Sequence, residues 1–313
     1  MCVFSSRWFQ LGVSLLLLGV LFVSADWRTF VSQLRAAQPG YVLVAFVGYV
    51  LGQVLCAYKW RWLARAVGFD QPLRACVSYY FGGMYLNLFA PSTIAGDVGR
   101  SVLLAGGRQG VGRALQSVLA DRASGVVMLI WVSALSFLVL GPTVLPAVVC
   151  YGTIVVAVGC VPVWWLLPRL ARLLFEPDHL IRRSSEKLFA PYHSRPRLVL
   201  GVCGLAFGFH LLQIGLLLLL AHALSIRVPL WYLLMCVPLI TLLSGLPLSL
   251  GGLGVREGSF VFFLSLVGVV HNEALALSLS WTGLIFGAGL VGGLVLAVSP
   301  DTRARLQGLG RPT

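Results

Sequence analysis

Six ionisable residues stand inside or beside long apolar runs: Asp97, Arg100, Asp121, Arg122, Arg256 and Glu257. A charge at membrane depth costs about 2.5–3.5 kcal/mol on insertion scales, so each of these needs a partner or a watery cavity. Proline and glycine next to them interrupt the helix and free backbone N–H groups at a half-helix N-terminus, where anions are favoured. A guanidinium adds a planar fork that can hold a phosphate with two hydrogen bonds. The chemistry expected of Arg100 and Arg256 is therefore anion binding, with a phosphate headgroup as the anion that a bilayer would supply. Asp97 or Glu257 would balance an arginine in the empty site or take a coupling proton, and Gly96 and Gly252 mark the helix breaks. The competing reading makes the same charges salt bridges that hold two halves of the chain together. For Asp121 and Arg122, near the start of an apolar span, a structural ion pair is at least as strong a reading as binding.

These residues sit in a stretch that occurs twice. Residues 91–100 read PSTIAGDVGR and residues 247–256 read PLSLGGLGVR. Pro91 and Pro247, Gly96 and Gly252, and Arg100 and Arg256 coincide without a gap, each pair 156 residues apart in a chain of 313. Gly/Pro-broken apolar segments at corresponding places in two halves point to a site built from discontinuous helices. The halves run approximately 1–156 and 157–313 within a single membrane domain.

Composition sets the surroundings. Hydrophobic residues make up 58% and charged residues 11%, against about 25% charged in an ordinary soluble domain. The apolar runs are long and lack the alternation of barrel strands, so the fold class expected is an all-α integral membrane protein, a polytopic helical bundle. The net charge of +13 does not point to nucleic acid, because the cations lie mostly in short loops beside apolar spans, where they set orientation. About eight transmembrane helices are predicted, near 11–23, 41–58, 75–90, 114–140, a stretch ending at 167, 198–224, 230–246 and 274–298. Two broken or re-entrant segments follow the third and seventh. Small residues at Val23-Ser24-Ala25 also allow the first span to be read as a signal segment, but a retained helix is preferred. The run Lys59-Trp60-Arg61-Trp62 reads as an interfacial anchor.

The positive-inside rule places the basic loops, including the linker 169–197, and both termini in the cytoplasm. Equivalent spans of the two halves then enter from opposite faces, the geometry of an inverted repeat. His210 and His222 read as helix–helix hydrogen-bonding groups, as do Asn87 and Gln53. The pairs Gly82-Gly83 and Gly292-Gly293, with Gly287 and Gly289, read as sites of close helix packing. The seven cysteines show no CxxC spacing and suit apolar packing rather than metal or disulfide chemistry. No cofactor or metal is expected. No nucleotide-binding or hydrolytic motif occurs, and no catalytic residue is assigned.

Four stretches carry a family resemblance: Asn87-Leu88-Phe89-Ala90-Pro91-Ser92, Gly96-Asp97-Val98-Gly99-Arg100, Asp121-Arg122, and Leu248-Ser249-Leu250-Gly251-Gly252-Leu253-Gly254-Val255-Arg256-Glu257-Gly258. They resemble the lysylphosphatidylglycerol synthase transmembrane-region family, a flippase-like domain, over nearly the whole chain. The resemblance implies a multi-pass protein of the inner (plasma) membrane that moves lipids or lipid-linked intermediates between leaflets. In the synthases this region precedes a soluble aminoacyl transferase domain. These 313 residues contain no such stretch, so lysyl transfer, and enzymatic activity generally, is not expected of them. The partners expected are anionic or phosphate-bearing membrane lipids. The alternative is a non-catalytic scaffold that brings a lipid-modifying enzyme or glycosyltransferase to the membrane through its basic linker.

Overall fold

The structure is a computed structural model that describes residues 7–23, 26–89, 94–107, 109–141, 144–176, 179, 182, 189–246, 248–299 and 302. Pro91, Ser92, Thr93 and Pro247 of the two motifs, Ser24, Ala25 and Cys2 lie outside the described residues, as does much of the linker. Among the described residues all regular structure is helical and no strand occurs. A backbone in hydrocarbon must satisfy its N–H and C=O groups within its own segment, which long apolar runs do by forming helices.

In chain order the helices are α1 (Arg7–Val23), α2 (Trp27–Ala36), α3 (Pro39–Ala66), α4 (Leu73–Phe89), α5 (Ile94–Ala105), α6 (Val111–Leu140), α7 (Ala147–Leu174), α8 (Pro196–Ala223), α9 (Leu230–Ser244), α10 (Val255–Ser265) and α11 (His271–Val298). A short 3-10 turn, Leu250–Gly252, lies between α9 and α10. Helix α2 falls in none of the predicted spans. It carries Arg28, Thr29, Ser32, Gln33 and Arg35 among its ten residues, and the Asp26 carboxylate caps it by accepting from the Arg28 N–H.

Four helices, α3, α6, α8 and α11, are long and apolar enough to cross a membrane, and α7 makes a fifth if its bent pair Ala147–Val163 and Pro168–Leu174 is one span. The sequence predicted eight. The difference lies in the first, third and seventh predicted spans, which form helices α1, α4 and α9 of 17, 17 and 15 residues. At 1.5 Å per residue these are roughly 22–26 Å long, short of a hydrocarbon core of about 30 Å.

Two of the short helices, α4 and α9, are each one arm of a packed pair. Helix α4 folds back on α5, and α9 on α10. The Tyr232 hydroxyl on α9 donates to the Phe263 carbonyl on α10. Helix α3 packs along α8, α4 along α11, and α9 along α6. The elements recur in order. Helices α3 and α8 are both 28 residues long and open on proline, and the starts of α3 and α4 (39 and 73) are spaced as those of α8 and α9 (196 and 230).

Gly83 and Gly292, both predicted to permit close packing, do so, and Gly96, expected to mark a helix break, lies inside α5 and packs as closely. A Cβ on Gly96 would stand 2.1 Å from the Gly83 carbonyl oxygen and 2.5 Å from the Asn87 amide oxygen, so α5 meets α4 at backbone contact. A Cβ on Gly292 would stand 2.2 Å from the Phe81 carbonyl oxygen, which seats α11 on α4. His210 donates from Nε2 to the Gly125 carbonyl at 2.9 Å, joining α8 to α6 as the sequence suggested.

Gly96→Ala is expected to lower stability by about 1–3 kcal/mol through overpacking. Thermal unfolding of the purified protein in detergent checks this, with Gly12→Ala, where a Cβ meets nothing within 4 Å, expected to leave the transition unmoved.

Candidate functional site

Arg100 is the centre of a buried chain of charges. It rises from α5 with only 3% of its surface exposed. Its Nη1 donates to Asp121 Oδ2 on α6 at 3.0 Å, and its Nη2 donates to Asp97 Oδ1, one turn earlier on α5, at 3.1 Å. Asp121 also pairs with Lys59 Nζ of α3 at 3.0 Å. Asp97 is held from the other side by Arg122 of α6, whose Nε reaches Oδ2 and whose Nη2 reaches Oδ1, both at 3.0 Å. Such a fork-on-carboxylate pair is among the strongest hydrogen-bonded arrangements proteins make. The order along the chain is Lys59, Asp121, Arg100, Asp97, Arg122, with signs alternating throughout.

Two aromatic faces complete the seat of Arg100. Its guanidinium carbon lies 5.1 Å from the Trp60 ring centroid and 5.0 Å from that of Tyr80, within the range of a cation–π contact. Trp60 is fixed by its indole N–H, which donates to Ser117 Oγ at 3.1 Å. Helices α3, α4, α5 and α6 thus all contribute to holding one cation.

The second motif is built differently. Gly251, Gly252 and Gly254 take φ values of 60°, 82° and 83°, a region closed to most L-residues. Glu257, fully buried, accepts from the Gly254 N–H at 2.6 Å, from the Thr282 hydroxyl at 2.8 Å and from Arg256 Nε at 3.3 Å. The Arg256 Nη2 is buried and has no hydrogen-bond partner among the described residues.

Both motifs open on one cavity of about 270 Å³. Gly96, Asp97 and Arg100 line it from the first motif, Leu250, Gly251, Leu253 and Arg256 from the second, and Arg122 from α6. Tyr49 and Gln53 of α3 and Tyr80 and Asn87 of α4 add polar groups, while Met84, Leu88, Ile285 and Phe286 make an apolar side. Among the described charges in these two clusters, four cations (Lys59, Arg100, Arg122, Arg256) face three carboxylates (Asp97, Asp121, Glu257), which leaves one positive charge in excess. That excess, with Arg100, Arg122 and Arg256 in its wall, equips the cavity to take an anion.

Of the residues expected to bind substrate, Gly96, Asp97, Arg100, Arg122 and Arg256 line the cavity. Asp121 stands behind Arg100, Glu257 is the cap of α10, and Gly252 packs so that a Cβ would lie 2.7 Å from the Ser244 carbonyl oxygen. Asp121 and Arg122 do not pair with each other as their adjacency suggested, because Asp121 is held by Lys59 and Arg100 while Arg122 takes Asp97. The backbone donors at the breaks are also partly used. Asn87 Oδ1 accepts from the Gly96 N–H at 2.8 Å, and Glu257 takes the Gly254 N–H. The donors facing the cavity are therefore mainly side chains.

Lys59 and Trp60 are buried members of the site, not the interfacial anchor that their sequence suggested. A signal for them was present: Tyr49, Gln53, Cys56 and Trp60, all buried, recur at helical spacing and put one semi-polar stripe on α3.

Removing one member of a buried pair costs about 3–5 kcal/mol because it strands the other charge. Asp121→Asn is expected to lower thermal stability by that order. Adding Lys59→Met should restore part of the loss, and a double-mutant cycle of unfolding midpoints in detergent measures the coupling.

The family described as lysylphosphatidylglycerol synthase TM region matches residues 7–293. A relative described as a UPF0104 membrane protein, from Methanothermobacter thermautotrophicus, is 24% identical over 271 residues, covering 78% of this chain and 80% of its own length. No solved structure matches. With the family matched along almost its whole length and several helices fit to cross a bilayer, this chain is a multi-pass membrane protein that belongs to the lysylphosphatidylglycerol synthase TM region family.

Proposed function

We propose that the protein is a lipid translocase that moves a phosphate-bearing lipid, or a lipid-linked intermediate, across the inner membrane. The observation that carries this reading is the meeting of Arg100 and Arg256, one from each motif, at a single cavity. One excess positive charge suits the single negative charge of a phosphodiester. Arg256, which lines the cavity and pairs with one carboxylate, would donate to the phosphate. Arg122, the most exposed of the cations at 49%, would exchange Asp97 for the incoming headgroup. By the ~30 Å³ that one water occupies in the liquid, the cavity has room for roughly nine waters. It accommodates a headgroup and leaves the acyl chains outside.

The recurrence of α3–α4 in α8–α9, and the exchange of contacts in which α4 lies on α11 while α9 lies on α6, support an inverted repeat. On this reading the short pairs α4–α5 and α9–α10 are re-entrant, and with α1 and α7 the chain has about eight membrane segments. Rocking of the halves about the cavity would open it to each face in turn. Both termini and the basic linker would lie in the cytoplasm. The protein has no catalytic chemistry of its own in this scheme, and its partners are the lipids it carries, with an enzyme that modifies or consumes them.

The test is headgroup flipping in vesicles reconstituted with the pure protein, using fluorescent phosphatidylglycerol and a polyprenyl phosphate. Arg256→Gln should lower the rate at least about tenfold, the equivalent of 1.4 kcal/mol, with the unfolding midpoint held within a degree or two. Equal rates for parent and variant would remove the translocase reading, and a protein that moves neither lipid while retaining an enzyme partner on pull-down would establish the scaffold instead.

A further inference from the structure

The cavity is polar on one side and apolar on the other, and its apolar side leads out of the protein. Among the large apolar residues that line it, Phe286 of α11 is the one that is exposed, at 40%. It is the first of a stripe. Leu290, Leu294 and Val298 follow at intervals of four on the same helix and are 58%, 68% and 74% exposed. Residues four apart share a helix face, so the stripe is a continuous apolar surface that begins at the cavity. At 1.5 Å per residue it runs roughly 18 Å, a length suited to an extended acyl chain.

Other directions are less open. On the side of the second motif the cavity wall is backed by α1, whose Ser14 Oγ accepts from the Leu250 N–H at 2.8 Å and whose Leu17 packs where a Cβ of Gly254 would stand. The exposed apolar surface of α7 is larger, but α7 packs on α6 and contributes nothing to the cavity lining. The cavity wall also includes Gly251, exposed, with no atom within 4 Å of where its Cβ would be. Phe286 and the stripe that follows it carry no charged group to desolvate, which is what a hydrocarbon chain requires.

We infer that the acyl chains of a bound lipid leave the cavity past Phe286 and lie along the stripe Phe286, Leu290, Leu294 and Val298 of α11 while the headgroup is held at Arg256. This inference rests on the translocase reading of the same cavity. It assigns α11 a substrate-guiding role beyond its packing on α4. The glycines Gly289 and Gly292, which let Leu88 and the Phe81 carbonyl approach α11 closely, hold the helix so that the stripe stays turned outward.

The experiment uses the full chain in vesicles containing a trace of phosphatidylglycerol with a diazirine at the end of one acyl chain. After irradiation the adducts are mapped by mass spectrometry in the parent, Arg256→Gln and Arg256→Lys. Adducts at residues 286–298 are expected to fall at least about fivefold in Arg256→Gln, to persist in Arg256→Lys, which keeps the charge, and to remain unchanged on α7 in all three. Arg256-dependent adducts that concentrate on α1 or α7 instead would overturn the track and leave the headgroup site standing. Adducts that do not depend on Arg256 anywhere would overturn the headgroup site, and the track with it.

Discussion

A charge without a partner is too costly to keep in an apolar interior, and the arrangement of this protein answers that cost around Arg100. The guanidinium is tied to one carboxylate on its own helix and one on α6, and capped by two aromatic faces. Those carboxylates are in turn tied to Lys59 and Arg122. A buried ion pair gives little net stability compared with apolar packing, but losing one member is expensive. The chain of charges therefore acts less as a source of stability than as a specification. Helices α3, α5 and α6 can pack in this register and not in a neighbouring one, since a slip of one residue would strand several ions together.

The two motifs look alike in sequence and serve one cavity by different means. Gly96 lies inside α5, where its lack of a side chain lets two backbones touch. Gly252 lies in a turn, where its freedom at positive φ bends the chain. Arg100 comes two turns into its helix and pairs with two carboxylates, whereas Arg256 comes at the start of α10 and pairs with Glu257. The site is thus asymmetric: Arg100 is held by two carboxylates and two aromatic faces, Arg256 by one carboxylate.

Much of this was legible in the sequence. The apolar content and the absence of alternation set the helical membrane class, and the motif pair located seven of the seventeen residues that line the cavity, Arg100 and Arg256 among them. Span number was less legible because hydropathy reports that a segment is apolar, not whether it crosses. The run that forms α9 is as apolar as the others, but α4 and α9 are shorter helices that fold back on α5 and α10. The role of Lys59 and Trp60 was hidden for a related reason. A lysine and a tryptophan at the end of an apolar run fit both an interfacial girdle and a buried pair, and only the position of Asp121 on a distant helix decides between them. Adjacent residues misled in the same way, since Asp121 and Arg122 differ by about 100° around a helix and so serve different partners.

Helix α1 rests on the second motif, with Ser14 holding the Leu250 N–H and Leu17 filling the space over Gly254. Helix α1 therefore finds its seat only after more than two hundred further residues have been made. Until then it must wait in the bilayer beside unfinished neighbours. Helix α11, which carries Ile285 and Phe286 of the cavity wall, is made later still, so a chain halted before residue 250 would lack the part of that wall that the second motif and α11 supply.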